Sequence, residues 1–180
     1  MSTEPAPLTP VPVKYRSSFL IKTVLFILIV VFYFYVYFSG TYKWTTLMTV
    51  ELQNLSFKQG MELRVTGVPE PHAVSFTINV GESECNIALH INPRFQGCGP
   101  GVIVLNAMKD GSWGTEVRDE RNFPFRQGEE FEVSITFAND KFYISLHDGH
   151  MLEFPNRLEQ PQYSKIWFTA DVRITGIYVK

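Results

Sequence analysis

A chain of 180 residues with 45% hydrophobic and 19% charged side chains has the apolar content to bury one core of ordinary domain size, which excludes a disordered protein. Lys and Arg number 16 against 18 Asp and Glu, a net charge of −2, and that balance offers no electrostatic footprint for nucleic acid, so no nucleic-acid partner is expected. Two cysteines, Cys85 and Cys98, are too few for a disulfide scaffold and lack the paired spacing of a structural zinc site; free thiols or a single bridge both fit.

Residues 1–22 hold Pro5, Pro7, Pro10 and Pro12 together with Lys14, Arg16 and Lys22. Proline at that density removes helical hydrogen bonds, and a disordered basic tail is expected. Residues 23–42 follow without a formal charge, apolar throughout from Val24 to Phe38, the length that a bilayer-spanning helix requires. More basic residues precede this run than follow it, so the positive-inside bias puts the tail in the cytoplasm and everything after the 43–47 linker on the far side, as a single-pass signal anchor. Tyr42 and Trp44 fit an aromatic belt at the membrane surface. Two alternatives stay open. A cleaved signal peptide meets bulky Tyr37 and Phe38 where small side chains are wanted, and a start at Met48 would leave the anchor out altogether.

From Val50 onward the pattern changes to short runs of β-branched and aromatic residues alternating with polar ones, broken by Gly, Pro, Asn and Asp. Residues 62–66, 74–80, 86–92, 131–137 and 141–147 read as strands with every second side chain buried. Asn139-Asp140 and Asp148-Gly149 favour the left-handed backbone of tight hairpins, so the strands are expected to be antiparallel. An all-β sandwich of two sheets over residues 48–180 is predicted. Trp167, between Ile166 and Phe168, reads as core.

Period-2 alternation through the 86–92 strand puts His90, Asn92 and Arg94 on one face, with Leu89 and Ile91 on the other. Asn106 lies on the next strand, and Trp113, Glu116 and Arg118 follow; these residues are expected to form an outward polar row rather than core. An exposed indole beside amide, carboxylate and guanidinium groups suits a sugar, whose C–H face lies on the ring while its hydroxyls take directional hydrogen bonds. Enzyme signatures are missing: there is no nucleophile elbow, phosphate loop or His-Glu-x-x-His pair, and Glu116 has no evident second carboxylate with which to cleave a glycosidic bond. The His147-Asp148-Gly149-His150 run spans a turn and lacks a third metal ligand, so solvated turn residues, no metal and no cofactor are expected. Asn54-Leu55-Ser56 fits the N-glycosylation pattern, which matters only in a translocated domain.

The ordered set His90-Ile-Asn-Pro-Arg-Phe95, Val104-Leu-Asn106, Trp113-Gly-Thr-Glu-Val-Arg118, Phe123-Pro-Phe125 and Phe154-Pro-Asn-Arg-Leu158 resembles the galectin family over residues 48–180. The resemblance implies a jelly-roll β-sandwich that binds β-galactosides, lactose or N-acetyllactosamine type, without calcium. It implies that His90, Asn92 and Arg94 contact the axial O4 of galactose, Trp113 stacks on its flat face, Asn106 and Glu116 take O6, and Arg118 with Glu116 orients the second sugar. It also implies a brace between Arg94 and Glu116, and pairing of two copies through terminal strands, for which Val172, Ile174, Ile177 and Val179 are the edge material. Many family members carry a second histidine near where this chain has Cys98. That departure leaves a rival reading: a galectin-like structural or protein-binding domain whose sugar groove is weakened by the altered loop around Cys98. A second departure is the anchor, in a family that leaves cells without a signal sequence. Without the anchor, the expected location is cytoplasmic, and extracellular by an unconventional route.

Overall fold

Alternation becomes strand wherever one side chain in two can be sealed against a second layer. The computed structural model describes residues 50–97 and 99–180. The expected tail, spanning segment and linker, residues 1–47, and Cys98 lie outside the described residues. In chain order the strands are β1 (Val50–Leu52), β2 (Phe57–Lys58), β3 (Glu62–Pro69), β4 (Phe76–Ser83), β5 (Asn86–Gln96), β6 (Gly99–Lys109), β7 (Ser112–Trp113), β8 (Val117–Asp119), β9 (Phe131–Phe137), β10 (Lys141–Leu146), β11 (Met151–Pro155), β12 (Gln162–Tyr163), β13 (Lys165–Ala170) and β14 (Val172–Val179). One sheet runs β1-β13-β4-β5-β6-β7, with β8 also on β6; the other runs β11-β10-β9-β3-β14; β2 and β12 form a small ribbon. The pairings within these sheets are antiparallel. The predicted all-β sandwich is the observed one.

The five-stranded sheet obeys the simple rule. In β9 and β10 every second residue is buried, and the hairpin between them turns at Asn139, whose φ of 63° is the left-handed angle that asparagine tolerates. The turn after β10 uses Gly149 at φ 86° in the same way. The seven-stranded sheet departs from the rule: β5 and β6 are buried along much of both faces. One face meets the other sheet; on the second, Asn79 of β4 and Trp113 of β7 lie against His90, and Arg94 lies on Asn92. The strand expected at 74–80 starts two residues later, at Phe76, and runs on to Ser83.

Between the sheets Ile78, Leu89, Ile91 and Leu105 face Leu63, Val65, Val133, Ile135 and Ile144, all buried. Aromatic rings fill the ends of this layer: Phe76 stacks on Phe131 with centroids 4.9 Å apart, and Phe137 stacks on Phe142 at 4.8 Å. The phenol of Tyr163, buried in this layer, has its polar end satisfied. The Tyr163 hydroxyl donates to Asn156 Oδ1, and Asn156 Nδ2 in turn donates to the carbonyls of Asn139 at 2.7 Å and Gln160 at 3.0 Å. Burial pushes the Tyr163 pKa up to about 12, so the phenol stays neutral.

Phe76 is fully enclosed and packs against Phe95 on its own sheet and Phe131 on the other, so its removal leaves a cavity that neither sheet can collapse into. Phe76→Ala is expected to lower unfolding free energy by about 3–5 kcal/mol with an unchanged urea m-value, read from chemical denaturation.

Candidate functional site

Strand register decides which side chains meet. Trp167 on β13 lies opposite Asn79 on β4, Asn79 opposite His90 on β5, and His90 opposite Asn106 on β6, and directly opposed residues share a face. A polar row therefore crosses four strands on the sheet face away from the core, while Leu89 and Ile91, either side of His90, are sealed between the sheets. Along β5, period 2 adds Asn92 and Arg94 to that face. Trp113 at the end of β7 stands beside the row, its indole 49% exposed and its ring centroid 4.7 Å from that of His90.

The structure brings the seven expected residues together. Arg94 donates from Nε to Asn92 Oδ1 at 2.7 Å and from its terminal nitrogen to Glu116 Oε1 at 2.9 Å. Arg118 reaches the other oxygen of Glu116 at 3.1 Å and also pairs with Glu120 at 3.5 Å. Asn92 donates to the carbonyl of Phe76 at 2.7 Å, and Asn106 donates to the carbonyl of Gly114 at 2.9 Å while its oxygen accepts from the Ala107 amide at 2.8 Å. His90, Arg94, Asn106, Trp113 and Glu116 line a cleft of about 370 Å³.

Three expectations need correction. Asn92 and Asn106 were expected on an open outward row, yet only 7% and 4% of their surfaces are exposed. Arg94 lies over Asn92 and the Gly114 segment over Asn106; the Nδ2 of each donates to a backbone carbonyl while its oxygen accepts from Arg94 or the Ala107 amide, so Asn92 supports the cleft from beneath and Asn106 lies in its floor. Trp167 is buried as expected, but on the site face beside Asn79, where the Lys165 ammonium lies 5.0 Å from its ring. The His147–His150 turn also differs in part: His150 folds back to place Nε2 2.7 Å from Asp119 Oδ2, in a carboxylate that Arg121 holds with three further bonds, one from its backbone amide and two from its guanidinium. Arg121 keeps that carboxylate well below the usual range.

Three residues of the site escape the sequence reading. Asn79 holds His90 by a 2.6 Å contact from Oδ1 to Nδ1. Thr77, two residues before it, carries Asn79 and touches Thr169 across the strand pair. The alternation Thr77-Ile78-Asn79-Val80 would have placed both on the His90 face. Arg157 donates to the carbonyl of Thr115 at 2.8 Å, stacks over Phe154 at 4.6 Å, and pins the segment that carries Trp113. A Cβ at Gly114 would meet the Arg157 guanidinium at 2.9 Å, so a larger residue there would displace the end of that side chain.

Electrostatics fix the protonation of the row. The Arg94 hydrogen bond holds the Glu116 carboxyl below its ordinary value, so it is an anion and an acceptor. Burial, with the Arg94 charge behind it, pushes His90 down to about 4, so its ring is neutral at physiological pH. A larger depression of about 530 Å³ lies at Gln53, Glu82, Glu84, Ser164 and Lys165, but its polar groups are engaged with one another: Ser164 bonds Glu82, and Lys165 pairs with Glu84. It lacks an aromatic face, and the chemistry favours the smaller cleft.

A family model described as galactoside-binding lectin matches residues 48–179. The chain belongs to the galectins. This galectin is 44% identical over 129 residues to a beta-galactoside-binding lectin of Electrophorus electricus, covering 71% of this chain and 95% of that one. It is 43% identical over 122 residues to galectin-1 of Mus musculus, covering 67% and 90%. Among solved structures, lactose- and MES-liganded congerin II superposes with a TM-score of 0.69 at 40% identity, over 73% of this chain and 99% of that one.

The neutral His90 of the galectin is checked by an NMR titration of its ring: the expected midpoint is about 4, against an ordinary imidazole value of 6.5. The unfolded state then binds more protons than the folded state between those values, so His90 subtracts stability as pH falls through that window and subtracts none above it.

Proposed function

We propose that this galectin is a lectin that holds the galactose of lactose-type β-galactosides in the cleft over β4, β5 and β6 and releases it unchanged, without calcium. One observation carries the reading: a half-exposed indole stands beside a row of donors and acceptors already fixed in direction by bonds to one another. The C–H face of galactose lies on Trp113. His90 and Arg94 converge on the axial O4, with Asn92 directing the Arg94 fork. Asn106 and Glu116 take O6, and Arg118 with Glu116 orients the second sugar. A site that pairs an axial hydroxyl leaves buried groups unpaired against the equatorial epimer, which is how it tells galactose from glucose. Such a shallow cleft gives weak single-site affinity, and cross-linking of glycoconjugates depends on several sites acting together.

The same proposal includes two features of assembly. Two copies pair through terminal strands: β1 and β14 are sheet edges, and Tyr178 on β14 is exposed. Residues 23–42 anchor the chain in a membrane with the lectin domain on the far side, supported by the charge-free apolar run and its basic flank. Resistance to alkaline carbonate extraction is the expected behaviour of the anchored chain, and complete extraction removes that part of the proposal.

Purified full-length protein is expected to be retained on lactose-agarose and released by lactose but not by sucrose. Trp113→Ala is expected to lose about tenfold or more in affinity while remaining folded, since the indole is on the surface. Passage of folded wild-type protein straight through the column overturns the proposal.

A further inference from the structure

His90 can present either a hydrogen or a lone pair to a ligand, and the neighbouring amide decides which. Asn79 is buried on β4, facing His90 on one side and the backbone of β13 on the other. Its Nδ2 donates to the carbonyl of Trp167 at 3.3 Å and to Thr77 Oγ1 at 2.9 Å, and Thr77 Oγ1 in turn lies 2.6 Å from Thr169 Oγ1. A backbone carbonyl only accepts, so the nitrogen of the amide has to face β13; the reverse orientation would set two oxygens against each other. The amide oxygen is thereby aimed at His90 Nδ1, 2.6 Å away, and an amide oxygen also only accepts. Nδ1 must carry the ring hydrogen. In a neutral imidazole that leaves Nε2, on the edge of the ring away from Asn79, as a bare lone pair.

We propose that Asn79, held by Thr77 and the Trp167 carbonyl, is a positioning residue that makes His90 an acceptor, so that the ligand hydroxyl at His90 has to donate. The inference rests on the sugar site proposed above and adds a rule to it. The same hydroxyl receives a hydrogen from the Arg94 guanidinium, which only donates, so the site reads it in both roles at once. A group of similar size that accepts without donating fails at His90. The charged groups around the ring are Arg94 and Glu116 on the cleft side and Glu84, from the turn between β4 and β5, along the adjoining groove. None of these supplies a hydrogen to Nδ1; Asn79 alone contacts that nitrogen among the described residues.

The test starts on ligand-free full-length protein with its four histidines labelled with nitrogen-15, the His90 signals being assigned by their loss in His90→Gln. The expected long-range spectrum shows a protonated Nδ1 and a bare Nε2 at neutral pH, and a protonated Nε2 overturns the proposal. This readout needs neither sugar nor an Asn79 variant, so it stands apart from failure of the lectin reading, which the lactose column reports. In binding assays a lactose analogue with fluorine in place of the galactose 4-hydroxyl is expected to lose about tenfold or more, because fluorine cannot donate; unchanged affinity overturns the proposal. Asn79→Ala is expected to weaken lactose binding by about tenfold at pH 8. Asn79→Asp, whose carboxylate still accepts from Nδ1, is expected to recover most of that loss at pH 8. It then weakens on acidification to pH 5, where wild type does not, because a carboxylate partner favours the imidazolium and an imidazolium has no lone pair to offer. Equal behaviour of the two variants at both pH values shows a packing role only and overturns the proposal.

Discussion

The register between β4, β5 and β6 is the constraint on which everything else depends. Side chains on a strand alternate with a period of two, so a slip of one residue would carry His90 and Asn92 into the hydrocarbon layer and send Leu89 and Ile91 out to the cleft. That slip is prohibitively unfavourable, because it would bury an imidazole and an amide without partners while exposing two large aliphatic groups. The core between the sheets thus specifies the polar face indirectly. Phe76 illustrates the coupling in one residue: its ring is packed against Phe131 in the interior while its carbonyl accepts from Asn92 in the cleft.

Ion pairs on the site face have another purpose than stability. Arg94, Glu116 and Arg118 are each more than a third exposed, and exposed pairs contribute about 0–1 kcal/mol. Their value lies in direction. A carboxylate with one oxygen on each of two guanidiniums cannot rotate freely, and an arginine tied at Nε by Asn92 and at its end by Glu116 presents its remaining N–H groups along a fixed line. Beneath this charged layer the buried amides are bonded mainly to the main chain, so the sheet itself sets the orientation.

Much of this was legible in the sequence, for a definite reason. Where one sheet face is wet, alternation survives, and β9, β10 and the His90 row could be read from it directly; the Asn139 and Gly149 turns followed from their backbone preferences. The burial of Asn92 and Asn106 was not legible, because it depends on the Arg94 side chain folding back over Asn92 along the same strand and on the Gly114 segment closing over Asn106 from beyond β7. Trp167 shows the same limit. Its neighbours are apolar, so it read as core, but its register with Asn79 places it on the polar face, and register is a property of pairs of strands. Asn79 and Thr77 carried a signal that the alternation rule could have found, whereas Arg157 acts through a loop carbonyl and left no periodic trace.

The Arg94–Glu116–Arg118 chain has a thermodynamic consequence. Long charged side chains free in solvent lose rotational freedom when a ligand fixes them, at a cost of about 0.5–1.5 kcal/mol for each one immobilised. Here three such side chains are already fixed when the domain folds, so an arriving hydroxyl-rich molecule meets a surface with little left to order and replaces water on groups that scarcely move. Loosening that chain at a distance from the cleft, for example at Glu120 beyond Arg118, would therefore appear in binding as an entropic loss with every direct contact to the ligand still in place.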